Sequence, residues 1–80
     1  MTHEEIIKAW FSIDELGGEN VFTTVESYLN MLYRTPQKMY RAYIRFGLGY
    51  EFYAHEKDIY TAMEKVINQY SEFITKNEIK

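Results

Sequence analysis

The chain has no cysteine, one proline, two histidines and four glycines among its 80 residues. Without cysteine there is neither a disulfide nor a thiolate metal site. Stability has to come from packing, from a partner or from self-association. The histidines, His3 and His55, are far apart in the sequence, which leaves no metal-ligand cluster and no obvious acid–base pair. They read as two solvated or locally bonded imidazoles. The adjacent acids Glu4-Glu5 and Asp14-Glu15 point in different directions on a helix and suit capping and dipole effects better than paired catalysis. Gly17-Gly18 and Gly47-Leu48-Gly49 lack the lysine and the spacing of a phosphate-binding loop, and read as helix stops. The expectation is a protein that is not an enzyme and uses no metal or cofactor.

Long apolar runs are missing too. No stretch approaches a signal h-region or a membrane span, and the first turn carries Glu4 and Glu5, so the expectation is a soluble, cytoplasmic protein that does not engage a membrane. Eighty residues allow one small domain with a single core.

What is abundant is aromatic. Eight tyrosines, five phenylalanines and one tryptophan make up 18% of the chain, too many for a domain this small to hide completely. Tyrosine packs its ring and wets its hydroxyl, and it also dominates interface energetics. Charge is segregated. In residues 1–20 Lys8 stands against Glu4, Glu5, Asp14, Glu15 and Glu19, whereas in residues 21–50 Arg34, Lys38, Arg41 and Arg45 stand against Glu26 alone. All three arginines fall in that middle block, within a chain of net charge −3.

Periodicity predicts an all-α bundle of about four helices. Thr2-His3-Glu4-Glu5 has the form of a capping box, and Ile6, Ile7, Trp10, Ile13 and Leu16 recur at three- and four-residue steps, predicting a helix over 3–16. Val21, Phe22, Val25, Tyr28, Leu29 and Leu32 predict a second over 20–33. Thr35 and Pro36 suit an N-cap and first helical position, and Gly47 a stop, which predicts a third over 36–46. The apolar stripe from Phe52 through Tyr70 and Ile74 predicts a fourth over 51–75, followed by a short polar tail that frays. Two alternatives stay open there: Tyr50-Glu51-Phe52-Tyr53 alternates like a short strand, and Asp58 could cap a shorter helix from Ile59. The expected core is Trp10, Tyr28, Leu29, Leu32, Met39, Tyr43, Phe46, Met63, Val66 and Tyr70.

On a helix over 36–46 the basic residues would form one stripe, and Arg34, Gln37, Lys38, Tyr40, Arg41 and Arg45 are the candidate partner-binding residues. The leading expectation is a small regulatory protein that docks this basic and aromatic helix onto another protein. A cysteine-free, tyrosine-rich chain of this size suits an inhibitor or adaptor of the kind that phages and mobile elements encode. The alternative is a helix-turn-helix regulator, with 22–32 as support, 36–46 as recognition helix, and Gln37, Lys38 and Arg41 offered to duplex DNA. A glycine is lacking in the turn, where Tyr33 stands, and four basic residues would hold phosphate only modestly. Homodimerisation through the long last helix is a further expectation.

Overall fold

A computed structural model describes residues 1–17, 20–32, 34–47 and 49–76. The order of elements is α1 (His3–Gly17), β1 (Val21–Asn30), β2 (Gln37–Phe46), β3 (Tyr50–Glu56) and α2 (Ile59–Lys76). The three strands form one antiparallel sheet in the order β1-β2-β3. The fold is therefore α+β, and the expected four-helix bundle is wrong.

The first helix forms as its sequence dictates. The Glu5 amide donates to the Thr2 hydroxyl at 3.1 Å and the Thr2 amide to the Glu5 carboxylate at 2.8 Å, the reciprocal pair of a capping box. Its end at Gly17 meets a packing constraint. A Cβ placed on Gly17 would lie 2.0 Å from a methyl of Val21, which is itself buried, so only glycine lets β1 start so close to the helix. Gly18, the second half of the expected stop, lies outside the described residues.

The segments expected as the second and third helices are strands. Val21, Phe22, Thr23, Thr24 and Val25 are five β-branched or aromatic residues in succession, and such side chains lose rotamer freedom on a helix but fit a pleated surface. In β2 a period of two underlies the helical spacing of the basic residues: Ala42, Ile44 and Phe46 face the core, while Arg41, Tyr43 and Arg45 face away. The ladder from Val21↔Phe46 to Asn30↔Gln37 runs without a bulge. Pro36 stands one residue before β2, where its missing N–H costs the ladder nothing. The Asn30 side chain accepts from the Leu32 amide at 3.0 Å, turning the chain out of β1. Tyr33 of the expected turn lies outside the described residues. Gly47 and Gly49, with φ of 64° and 149°, lie between the paired residues Phe46 and Tyr50, so Gly47 is a turn residue and not a helix stop; Leu48 is not among the described residues.

The last expected helix divides in two. Residues 50–56 are β3, of which the short β-like segment at 50–53 is the start. The helix proper begins at Ile59, capped by Asp58, whose carboxylate accepts from the Thr61 amide at 2.8 Å and the Thr61 hydroxyl at 3.0 Å. Those two bonds hold the Asp58 carboxyl below its ordinary pKa. Of the tail expected to fray, Lys76 to Lys80, Lys76 belongs to α2 and residues 77–80 lie outside the described residues.

Both helices lie on one face of the sheet. Ile6 and Trp10 of α1 and Ala62, Met63, Val66 and Ile67 of α2 are buried with Val21, Ala42, Ile44 and Ala54. Ala42 pairs with Ala54 across β2 and β3, and these two small side chains leave room for the larger ones of α2. Beside this cluster, Phe46 and Phe52 meet Tyr70 and Phe73 at centroid distances of 5.5 to 6.2 Å. Burial there pushes the Tyr70 phenol upward in pKa. Of the expected core, Trp10, Met63 and Val66 are buried and Phe46 and Tyr70 pack against it, whereas Leu29 and Leu32 are exposed, and Tyr28, Met39 and Tyr43 lie on the sheet face away from the helices.

Trp10 is 6% exposed, so Trp10→Ala should cost about 3–5 kcal/mol in denaturant unfolding. Gly17→Ala should destabilise by about 1–3 kcal/mol, although alanine is the better helix former, because Val21 has nowhere to retreat. Asp58→Ala should lower the melting temperature at neutral pH and Asp58→Asn should largely preserve it. Since the folded pKa of Asp58 is depressed, its ionisation adds stability that is complete above the unfolded value near 3.8 and lost as pH falls through the folded value; an acid melting series on the Asp58→Asn variant should lack that component.

Candidate functional site

The face of the sheet turned away from the helices carries the chemistry. Strand alternation places Phe22, Thr24, Glu26, Tyr28 and Asn30 of β1 there. They stand opposite Arg45, Tyr43, Arg41, Met39 and Gln37 of β2, which in turn register with Glu51, Tyr53 and His55 of β3. Phe22 is 59% exposed, Tyr53 54% and Tyr28 37%.

These side chains hold one another in place. The Tyr28 hydroxyl and His55 Nδ1 share a hydrogen bond of 2.8 Å, which ties β1 to β3 across the top of β2. His55 also meets the rings of Tyr28 and Tyr53 edge to face, at centroid distances of 5.7 and 5.8 Å. Phe22 and Tyr43 make a further edge contact at 6.2 Å. Arg41 forms an ion pair with Glu26 and sits 5.5 Å from the centre of the Tyr43 ring. Its Nε is shielded from solvent with no hydrogen-bond partner. The Tyr43 phenol is pushed up in pKa, first by desolvation and then by the negative charge of Glu51 beside it. At the corner near the β2–β3 loop, Asn20, Val21, Phe22, Arg45 and Gly47 line a shallow depression of about 240 Å³.

The expected partner-binding stripe does not exist as one surface. On a strand, residues four apart share a face but residues three apart do not. Gln37, Arg41 and Arg45 therefore lie on the open face, whereas Lys38 and Tyr40 have the opposite parity, with the Lys38 ammonium 5.7 Å from the Tyr40 ring. Arg34 sits in the connection before β2, off the sheet. Arg41 and Arg45 are balanced on their own face by Glu26 and Glu51, so the concentration of positive charge that the sequence implied is dispersed by the fold.

The helical reading missed Phe22, Glu26, Tyr28, Met39, Tyr43, Glu51, Tyr53 and His55 as members of one surface. The signal for Met39, Tyr43, Glu51, Tyr53 and His55 was the alternation in Gln37–Phe46 and Tyr50–Glu56, and for Phe22, Glu26 and Tyr28 the β-branched and aromatic run that opens Val21–Asn30. His3 is far from this face and stacks on Tyr60 with ring centroids 3.8 Å apart. Among the described residues no group of three or more His, Cys, Asp or Glu side chains is placed to hold a metal, and no helix is long and apolar enough to cross a membrane. Comparison with protein-family models, with curated proteins and with solved structures gives no match to this chain.

The Tyr28–His55 bond can be tested on the protein alone. Tyr28→Phe should keep the fold and should move the His55 Nδ1 resonance in 15N NMR at a fixed pH. An unmoved Nδ1 resonance would show that the hydroxyl and the imidazole do not bond in solution.

Proposed function

We propose that this protein is a small regulatory module, an inhibitor or adaptor, that binds another protein through the open face of its sheet. The observation that carries the proposal is the composition and order of that face. Exposed aromatic rings are braced by edge contacts and by the Tyr28–His55 bond, beside two arginines matched by two glutamates. Aromatic and arginine side chains contribute most of the energy in protein interfaces, and rings already fixed lose little freedom on binding. A patch balanced in charge suits a protein partner better than the phosphate backbone of a nucleic acid, which rewards uncompensated Lys and Arg.

The helix-turn-helix alternative loses its premise, because residues 37–46 are a strand, paired with β1 along its length and with β3 over 40–46. No catalytic step is proposed for the open face. A cytoplasmic location accords with the lack of cysteine.

The test is photo-crosslinking in extracts of the source cells, with a benzophenone amino acid placed at Tyr53 on the open face or at Glu72 on the far side of α2. The proposal expects a discrete adduct from position 53 that disappears when Phe22→Ala and Arg45→Glu are combined, in a variant whose circular dichroism is unchanged. Adducts only from position 72, or adducts that survive the double substitution, would place the binding surface elsewhere.

A further inference from the structure

The two edges of the sheet differ in a way that the open face does not explain. The Gly47 amide donates to the Asn20 carbonyl at 2.9 Å, in register with the β1–β2 ladder, which fixes the phase of its hydrogen bonds. The even residues of β1 exchange bonds with β2. Val21, Thr23, Val25, Ser27 and Leu29 then direct their N–H and C=O groups to the free edge. By the same alternation Glu51, Tyr53 and His55 supply the free edge of β3. That edge is short, carries Glu51, and has its Tyr53 carbonyl met by the Gln69 side chain of α2 at 3.5 Å. The β1 edge is ten residues long, with no proline, lysine or bulge and with Glu26 as its one charge. Natural sheets seldom leave so long an edge without one of those devices.

We infer that β1 pairs with β1 of a second copy of this chain, antiparallel about a two-fold axis through Val25, to make a six-stranded sheet. This goes beyond the partner-binding reading of the open face and does not depend on it. The argument rests on self-complementarity. Centring the axis on Val25 sets Val25 against the Val25 of the second copy, Thr23 against its Ser27, Val21 against its Leu29, Phe22 against its Tyr28 and Thr24 against its Glu26. Each pair joins like with like or hydroxyl with polar, and each N–H and C=O of the free edge finds a partner. Exposed Leu29 and Tyr28 would gain apolar neighbours. Moving the axis one residue to Glu26 sets two carboxylates opposite each other, and moving it to Thr24 leaves Tyr28 and Leu29 unpaired.

A second observation comes from α1. Ile7, Phe11 and Asp14 lie on one helical stripe, and Asp14 accepts a hydrogen bond from Thr23 of β1 at 3.2 Å. That stripe is turned toward the β1 side and away from α2, yet Ile7 and Phe11 on it are exposed, Phe11 to 61%. A second copy at the β1 edge would bring its own α1 beside them. Interfaces of this isologous kind use the same patch twice.

The experiment is light scattering on the eluting protein over a concentration series, combined with amide hydrogen exchange. The inference expects twice the chain mass at high concentration, and slower exchange of the Thr23, Val25 and Ser27 amides as the dimer forms. Ser27→Pro removes an edge N–H without touching the β1–β2 ladder and should weaken dimerisation at least tenfold. Phe11→Lys, at an exposed site that cannot unfold the chain, should weaken it as well. Glu51→Pro on the β3 edge should leave it intact. A monomer at every concentration, or a dimer lost with Glu51→Pro and kept with Ser27→Pro and Phe11→Lys, would overturn the inference.

Discussion

The structure depends on the burial of Ala42 and Ile44, two residues of the central strand with no exposed surface. They lie beneath the helices, and the strand that holds them is paired along both edges. Two helices and three strands supply enough apolar surface to cover one side of a sheet. Among the described residues no third layer lies on the other. What alternates with Ala42 and Ile44 along β2 must therefore face outward, and it is Arg41, Tyr43 and Arg45. The open face thus follows directly from the way the core is built.

That constraint also explains the order on the open face. Side chains there cannot lean on a covering layer, so they lean on each other. Tyr28 reaches across β2 to His55, Arg41 is held by Glu26 and Tyr43, and Phe22 braces Tyr43. The molecule measures 51 × 28 × 21 Å, and β1 and β2, ten residues each, run past the end of the seven-residue β3. Residues 28–30 and 37–39 form a two-stranded ribbon whose tip carries exposed Leu29, Met31 and Leu32. A ribbon of this kind is weak alone and gains most from a further strand. The core, the open face and the unguarded edge are three outcomes of one short, one-sided sheet.

The helices at either end could be read from the sequence because their signals were local. The capping box at Thr2 and Glu5 and the Asp58 cap each satisfy backbone groups within a turn, and both form. The strands escaped because two periods coexist in the same residues. Arg34, Lys38, Arg41 and Arg45 fit a helical stripe, while Ala42, Ile44 and Phe46 fit a strand, and the choice between them rests on pairing with residues far along the chain. The run Val21–Val25 held the local clue, since β-branched and aromatic residues in succession disfavour a helix. The site was legible only in part. Arg41 and Arg45 were named for their charge, but that Glu26 and Glu51 neutralise the surface follows only from the registers Glu26↔Arg41 and Arg45↔Glu51.

The most direct measurement of the account is the pattern of through-space proton contacts in solution NMR for residues 36–46. The ladder phase predicts close Hα to Hα contacts at the pairs without hydrogen bonds, Thr23 with Ile44 and Val25 with Ala42. Successive amide-to-amide contacts along 36–46, with the cross-strand peaks missing, would show a helix there. They would remove the sheet, its open face and its free edge together.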